Sequence, residues 1–153
     1  MNIFASSNCP ALSARLLDDK RVVKMVLETA QLLSTAMHMH GDDAAPYKPT
    51  HKGHPCTKWV AESGNHYMWA IEHFRALCDE YTNRYRKIHK CAQYLQTFLD
   101  YAQGRGFSTD MPKYFVNCTT YKDSANVHAA YIQYLEDKWS TDKRTPTWYR
   151  REG

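Results

Sequence analysis

Residues 16–37 read LLDDKRVVKMVLETAQLLSTAM, and the spacing within them decides the fold. Val22, Val26, Ala30, Leu33 and Met37 recur at steps of three and four, the period of an α-helix that buries one face. Lys20, Lys24, Glu28, Gln31 and Thr35 fall at the same steps along a different face and make a polar stripe. A core helix with a carboxylate behind two lysines has something to present at its surface. Gly41 closes the helix, and 41–55, punctuated by Pro46, Pro49, Gly53 and Pro55, reads as a loop.

Outward from this helix the same period continues. From near Cys56, Trp59, Glu62, His66, Trp69 and His73 follow one face, and Phe74, Leu77, Cys78, Tyr81 and Tyr85 carry the pattern on, with Ser63-Gly64-Asn65 as a break. Ala92–Ala102 turns Leu95, Phe98, Leu99 and Ala102 inward and stops at Gly104-Arg105-Gly106, after which Phe107 is a hydrophobic anchor. Asp123 or Ser124 is the expected cap of a last helix containing Val127, Tyr131, Tyr134 or Leu135, and Lys138, and Thr145-Pro146 opens a tail. There is no internal repeat, low-complexity run or strand-like alternation. The expected fold is all-α, a compact single-domain bundle of about four to six helices over residues 1–153, with an irregular basic-aromatic C-terminal tail.

A chain of 153 residues buries roughly 70 % of its unfolded surface, so the core needs no staples. The five cysteines are odd in number, scattered and without a Cys-x-x-Cys pair, which argues against a disulfide framework or a zinc ribbon and favours a reducing compartment. Neither a signal-like start nor a run of ~20 apolar residues is present, so a soluble cytoplasmic protein is expected. Twenty Lys and Arg against sixteen Asp and Glu favour an anionic partner. Rings beside cations, as in Tyr85-Arg86-Lys87 and Trp148-Tyr149-Arg150-Arg151, suit a surface that holds phosphates and stacks bases.

Three constellations could carry chemistry. The Lys20, Lys24, Glu28 stripe is either ordinary helix decoration worth a few tenths of a kcal/mol or a carboxylate placed to anchor a cation or move a proton. In Thr50-His51-Lys52-Gly53-His54-Pro55, two imidazoles flank a proline-stiffened turn. His51 and His54 lack a third nearby ligand of zinc spacing, so no metal site is expected, and phosphate or base contact competes with a plain surface loop. His66 and His73 read as packed histidines, and Trp59 with Trp69 as core. The aromatic tail must either dock on the domain or meet a partner.

Several short motifs, in order, resemble the pyrimidine-dimer DNA glycosylases of the phage endonuclease V type. Met1-Asn2-Ile3-Phe4, then Leu17-Asp18 with Lys20, then Glu28, resemble the start, spacer and helical glutamate of bacterial relatives, and His54-Pro55 resembles their His-Pro pair. Arg105-Gly106-Phe107 with Asp110, the helix bearing His128, Leu135, Glu136 and Lys138, and the ending Pro146-Thr147-Trp148-Tyr149 are similar to later parts of the family. The second residue is Asn2 where the phage enzyme exposes a small residue, and Leu27 rather than an arginine precedes the glutamate.

The resemblance implies a DNA-repair enzyme, a glycosylase with associated AP lyase activity on a damaged or modified pyrimidine in duplex DNA. Its nucleophile would be an N-terminal amine forming a Schiff base. An α-amino group titrates at about 7.7–8.0 against about 10.4 for lysine, so Met1, or Asn2 after trimming, is favoured over Lys20 or Lys24. Glu28 would stabilise the positive sugar carbon and shuttle protons. Lys20, Arg21, Lys24, His51, His54 and Arg84 are candidate phosphate or base contacts, with Trp148, Tyr149, Arg150 and Arg151 gripping the duplex. The expected enzyme is a monomer with duplex DNA as partner, no cofactor and no membrane association, working in the cytoplasm, that of a bacterial host if phage-encoded. The rivals are another base- or nucleotide-modifying enzyme on this scaffold, with His51, His54 and Glu28 as acid–base groups, and a non-catalytic module that binds DNA or a host protein.

Overall fold

Two adjacent carboxylates, Asp18 and Asp19, divide residues 16–37. In the computed structural model, which describes residues 1–150, Asp18 caps the long helix α2 (Asp19–Met39) and accepts from the Arg21 backbone N–H at 3.4 Å. Leu16, expected in this same helix, instead ends a separate short one, α1 (Pro10–Leu16). Seven residues are too few to show a period. The start of α1 is nonetheless marked, by Pro10 in its first turn and by Cys9 Sγ accepting from the Leu12 N–H at 3.5 Å. The inward face of α2 is the expected one, since Val22, Val26, Ala30, Leu33 and Met37 are all buried.

The remaining helices follow local punctuation. Ser63 ends α3 (Pro55–Glu62) and caps α4 (Gly64–Tyr85), its hydroxyl accepting from the His66 N–H at 3.4 Å. Only glycine fits at 64, because a Cβ there would lie 2.5 Å from Phe107 Cδ1. A 3₁₀ turn (Lys90–Tyr94) leads into α5 (Leu95–Gly104). Gly106 then takes a φ of 67°, and Phe107 packs against Tyr67 and Tyr101 as the expected anchor. The last helix, α6 (Val127–Thr141), is capped by Asn126, whose Oδ1 accepts from His128 and Ala129, and not by Asp123 or Ser124. Those two residues lie in a preceding turn closed by the Ser124 N–H on the Tyr121 carbonyl.

Among the described residues there are six α-helices and no strand. Helix α4 packs against α1, α2, α3 and α5, and α2 against α3, around one cluster that includes Leu17, Trp59, Tyr67, Phe74, Phe98, Tyr131 and Leu135. The irregular segment 105–126 crosses this core on aromatic pegs. Trp59 Nε1–H donates to the Tyr114 carbonyl at 3.0 Å, and Phe115 stacks on Trp59 and meets Trp69 edge-on. His66 and His73 are buried as expected, their Nδ1 atoms donating to the Trp59 and Pro10 carbonyls.

Candidate active site and its flanking cleft

The first five residues run without regular structure into the core, and Asn2 locks them. Its Nδ2–H donates to the Cys118 carbonyl at 3.1 Å, and its Oδ1 accepts from the Phe4 N–H at 2.9 Å, holding Phe4 at a φ of 41° that bulky residues rarely adopt. Ala5 is tied to α6 by His128 Nδ1–H on its carbonyl at 2.6 Å. The amino terminus is thereby carried to the polar stripe of α2, with the Met1 nitrogen 3.2 Å from Glu28 Oε1. The Met1 side chain is only 3 % exposed while the residue as a whole is half-buried, so the surface it offers is backbone, where the amine sits.

Glu28 is 16 % exposed and uses its two oxygens differently. Oε1 takes the amine; Oε2 is buried, lies 3.9 Å from Lys24 Nζ and accepts no hydrogen bond. A buried carboxylate oxygen without a donor is costly in a structural role and useful where a substrate will supply the donor. Met1, Asn2, Phe4, Arg21, Lys24, Met25, Glu28, Tyr134 and Lys138 enclose it in a pocket of about 170 Å³. Five of the expected residues, Met1, Asn2, Arg21, Lys24 and Glu28, thus converge. Tyr134 was read only as a helical position. Its partner Lys138, whose ammonium lies 4.6 Å from the Tyr134 ring centre, is brought in by the packing of α6.

Lys24 also borders a second cleft of about 440 Å³ with Lys20, Val23, Tyr85 and the tail residues Arg144–Thr147. Its floor is an ion-pair hub. Asp18 accepts from Arg21 and from Trp139 Nε1–H at 2.8 Å; Arg21 reaches on to Asp142 at 2.8 Å, which raises the pKa of the guanidinium and lowers that of the carboxyl. Asp19 accepts from Thr147 Oγ1–H at 2.6 Å, from the Tyr149 N–H and from Arg84.

Arg84, expected on DNA, has a side chain with no exposure at all. It donates to Glu80 Oε1 at 2.9 Å and to the carbonyls of Leu17 and Arg15. Its guanidinium has no surface for a phosphate, and its work is to fasten α1 and α2 to α4. The tail docks on the same hub. Trp148 donates to the Leu16 carbonyl at 2.9 Å and meets Trp139 edge-on, and Arg150 pairs with Glu80 at 3.0 Å. Trp148 and Tyr149 still expose 42 % and 57 % of their surface. Arg151 lies outside the described residues.

His51 is exposed on a φ of 52°, at the surface of its loop. His54 is half-buried and caps α3, its Nδ1 accepting from the Cys56 N–H at 3.1 Å; burial first, then the charge of the amino terminus, lowers its pKa. Cys118 is beside it. The two thiols interact, and that contact, with burial, raises the Cys56 pKa while it lowers that of Cys118. The cysteines were dismissed on spacing, but His54, Cys56 and Cys118 place their ligand atoms within 4.8 Å of one another. The His54-Pro55-Cys56 spacing was visible in the sequence; Cys118, arriving from the 105–126 segment, was not.

No curated protein and no solved structure matches the chain. A family model described as pyrimidine dimer DNA glycosylase matches residues 1–93, more than half of the sequence. The match takes in the amino terminus, Lys24, Glu28 and His54, and ends before α5 and α6. With the expected helical scaffold around those residues, the chain belongs to the pyrimidine dimer DNA glycosylase family.

Proposed function

We propose that the protein excises a damaged or modified pyrimidine from duplex DNA and then cleaves the abasic strand, using the Met1 amine as nucleophile and Glu28 as the assisting carboxylate. The observation that carries this reading is the 3.2 Å pair of Met1 nitrogen and Glu28 Oε1 beside an Oε2 that lacks a donor. The neutral amine attacks C1′ of an extruded nucleotide, and the glycosidic bonding electrons leave with the base. The bound amine loses its proton, the sugar ring opens to an imine, and loss of the 2′ proton expels the 3′ phosphate. Glu28, with one oxygen on the amine and the other free, is placed to take those protons and to balance positive charge at C1′.

Lys24, Arg21 and Lys138 around the pocket, and Lys20 in the adjoining cleft, supply cations for the backbone phosphates. Trp148 and Tyr149 keep enough exposed ring to contact DNA while anchored. Phosphate contact through His51 stays within reach of an exposed loop. The whole chain acts as one helical domain, in keeping with a single buried cluster that draws on all six helices.

Borohydride trapping on an abasic duplex is the test. A covalent adduct mapped to the first residue supports the mechanism, and an adduct on Lys24 would transfer the nucleophile there. Tight binding with neither adduct nor strand cleavage would leave a non-catalytic DNA-binding module.

A further inference from the structure

The pocket around Glu28 does not use the sulfurs behind it. Cys56 is fully buried at the start of α3, Cys118 is half-buried in the irregular segment, and His54 closes the group from the loop before α3. Together they offer two sulfurs and an imidazole nitrogen, all within 4.8 Å. A tetrahedral zinc ion with bonds of about 2.3 Å to sulfur and about 2.0 Å to nitrogen holds its ligands roughly 3.5–3.8 Å apart, so small side-chain adjustments bring the three onto one ion. The remaining sulfurs are elsewhere: Cys9 is exposed, Cys78 is buried in α4, and Cys91 faces the Tyr47 hydroxyl at 3.1 Å.

We infer that His54, Cys56 and Cys118 form a binding site for a thiophilic divalent ion of the zinc class, clipping the 105–126 segment to the start of α3. The segment has a use for a clip. It is a long stretch without regular structure, and near Cys118 it is held by the Asn2 amide on the Cys118 carbonyl and by the Cys118 N–H on the Tyr131 hydroxyl. Two soft thiolates select zinc over magnesium or calcium, and three protein ligands leave the fourth position for water or another donor.

Binding releases two thiol protons to solvent, leaving two thiolates that balance the dipositive ion. It also costs the α3 cap. Ligation through Nδ1 occupies the lone pair that now accepts from Cys56, and ligation through Nε2 moves the ring proton onto Nδ1, so either route gives up that hydrogen bond. The Met1 amine and Lys122 add positive charge near Cys118, which favours its thiolate form.

The test uses reduced, metal-free protein and cobalt(II) or zinc alone, without DNA, so its outcome is separate from that of the glycosylase mechanism. Wild type and Cys9→Ser are expected to bind one cobalt per chain with the intense visible bands of a tetrahedral thiolate site, and to melt at higher temperature with zinc. Cys118→Ser should lose about half of the thiolate band intensity and weaken binding on the order of hundredfold or more. His54→Gln serves as a second variant that leaves both sulfurs in place, and it should bind cobalt more weakly with altered bands. Absence of thiolate bands in wild type, or equal affinity in wild type, Cys118→Ser and His54→Gln, overturns the site. So does a wild-type protein in which Cys56 and Cys118 are recovered as a disulfide after metal is added in the presence of reductant.

Discussion

Helix α2 carries two clusters of opposite charges, one at its start and one between two and three turns further along, and they are built differently. At the first turn Asp18 and Asp19 are fully engaged: Arg21, Trp139, Thr147, Tyr149 and Arg84 all bond to them. Further along, Glu28 has one oxygen on the Met1 amine and the other with no hydrogen bond. A carboxylate with donors on both oxygens holds helices together, whereas one with an oxygen left short of a donor has room to accept a further one. Composition cannot separate the two, since both are acids among cations on one helix. Partner count can.

The largest effect is expected from Glu28→Gln, which keeps shape and removes charge. Loss of turnover on abasic duplex by on the order of 10²–10⁴ is expected, with melting temperature and DNA affinity close to wild type. Wild-type turnover would make Glu28 one more structural acid. Arg84→Ala should do the converse. Removing the buried guanidinium takes the donor from Glu80 Oε1 and from the Leu17 and Arg15 carbonyls and should cost about 3–5 kcal/mol in urea unfolding, with turnover per folded molecule unchanged. A loss below 1 kcal/mol would show that the hub is not what holds α1 and α2 on α4.

Acid provides a third probe, and its main sensor belongs to neither cluster. His73 is completely buried with Nε2 lacking a partner, and burial lowers its pKa to about 4. An unfolded histidine takes its proton near 6.5, so below that pH the unfolded chain binds a proton that the folded one refuses. The stability present above about pH 6.5 is therefore lost as the pH falls toward 4, by roughly 2 kcal/mol between pH 7 and 5. His54 and His89, also lowered by burial, add the same sign. Urea midpoints that do not change between pH 7 and 5 would contradict the buried neutral ring. The smallest effect is in salt. Lys20→Ala and Lys24→Ala should each lower the slope of log affinity against log salt by about 1, and a conservative Arg84→Lys, buried at the same hub, should leave it unchanged.

What was legible in the sequence follows from range. The buried face of α2, the break at Ser63-Gly64 and the anchor at Phe107 were readable because a helix repeats within a few residues and its stops are local. Helix α1 was missed because it ends before a period can be counted, and the Asn126 cap because Asp123 and Ser124 are equally good cap residues with the turn not yet known. Arg84 looked like a surface cation in Asn83-Arg84-Tyr85-Arg86-Lys87. Its burial depends on Asp19 and on the Leu17 and Arg15 carbonyls, which arrive from another part of the chain. The pairing of Met1 with Glu28 was implied by resemblance and not by spacing, and Cys118 beside His54 was not foreseen, since nothing along the chain records which loops meet.

The position of the first nitrogen has a practical side for anyone who produces this protein. Because the amine shares a pocket of about 170 Å³ with Glu28, whatever is attached to the first residue enters that pocket. An acetyl group or a purification tag fused ahead of Met1 turns the ammonium into an amide and leaves Lys24, 3.9 Å from Oε2, as the cation beside Glu28. Under the proposed mechanism, a preparation carrying extra residues in front of Met1 would lack its nucleophile.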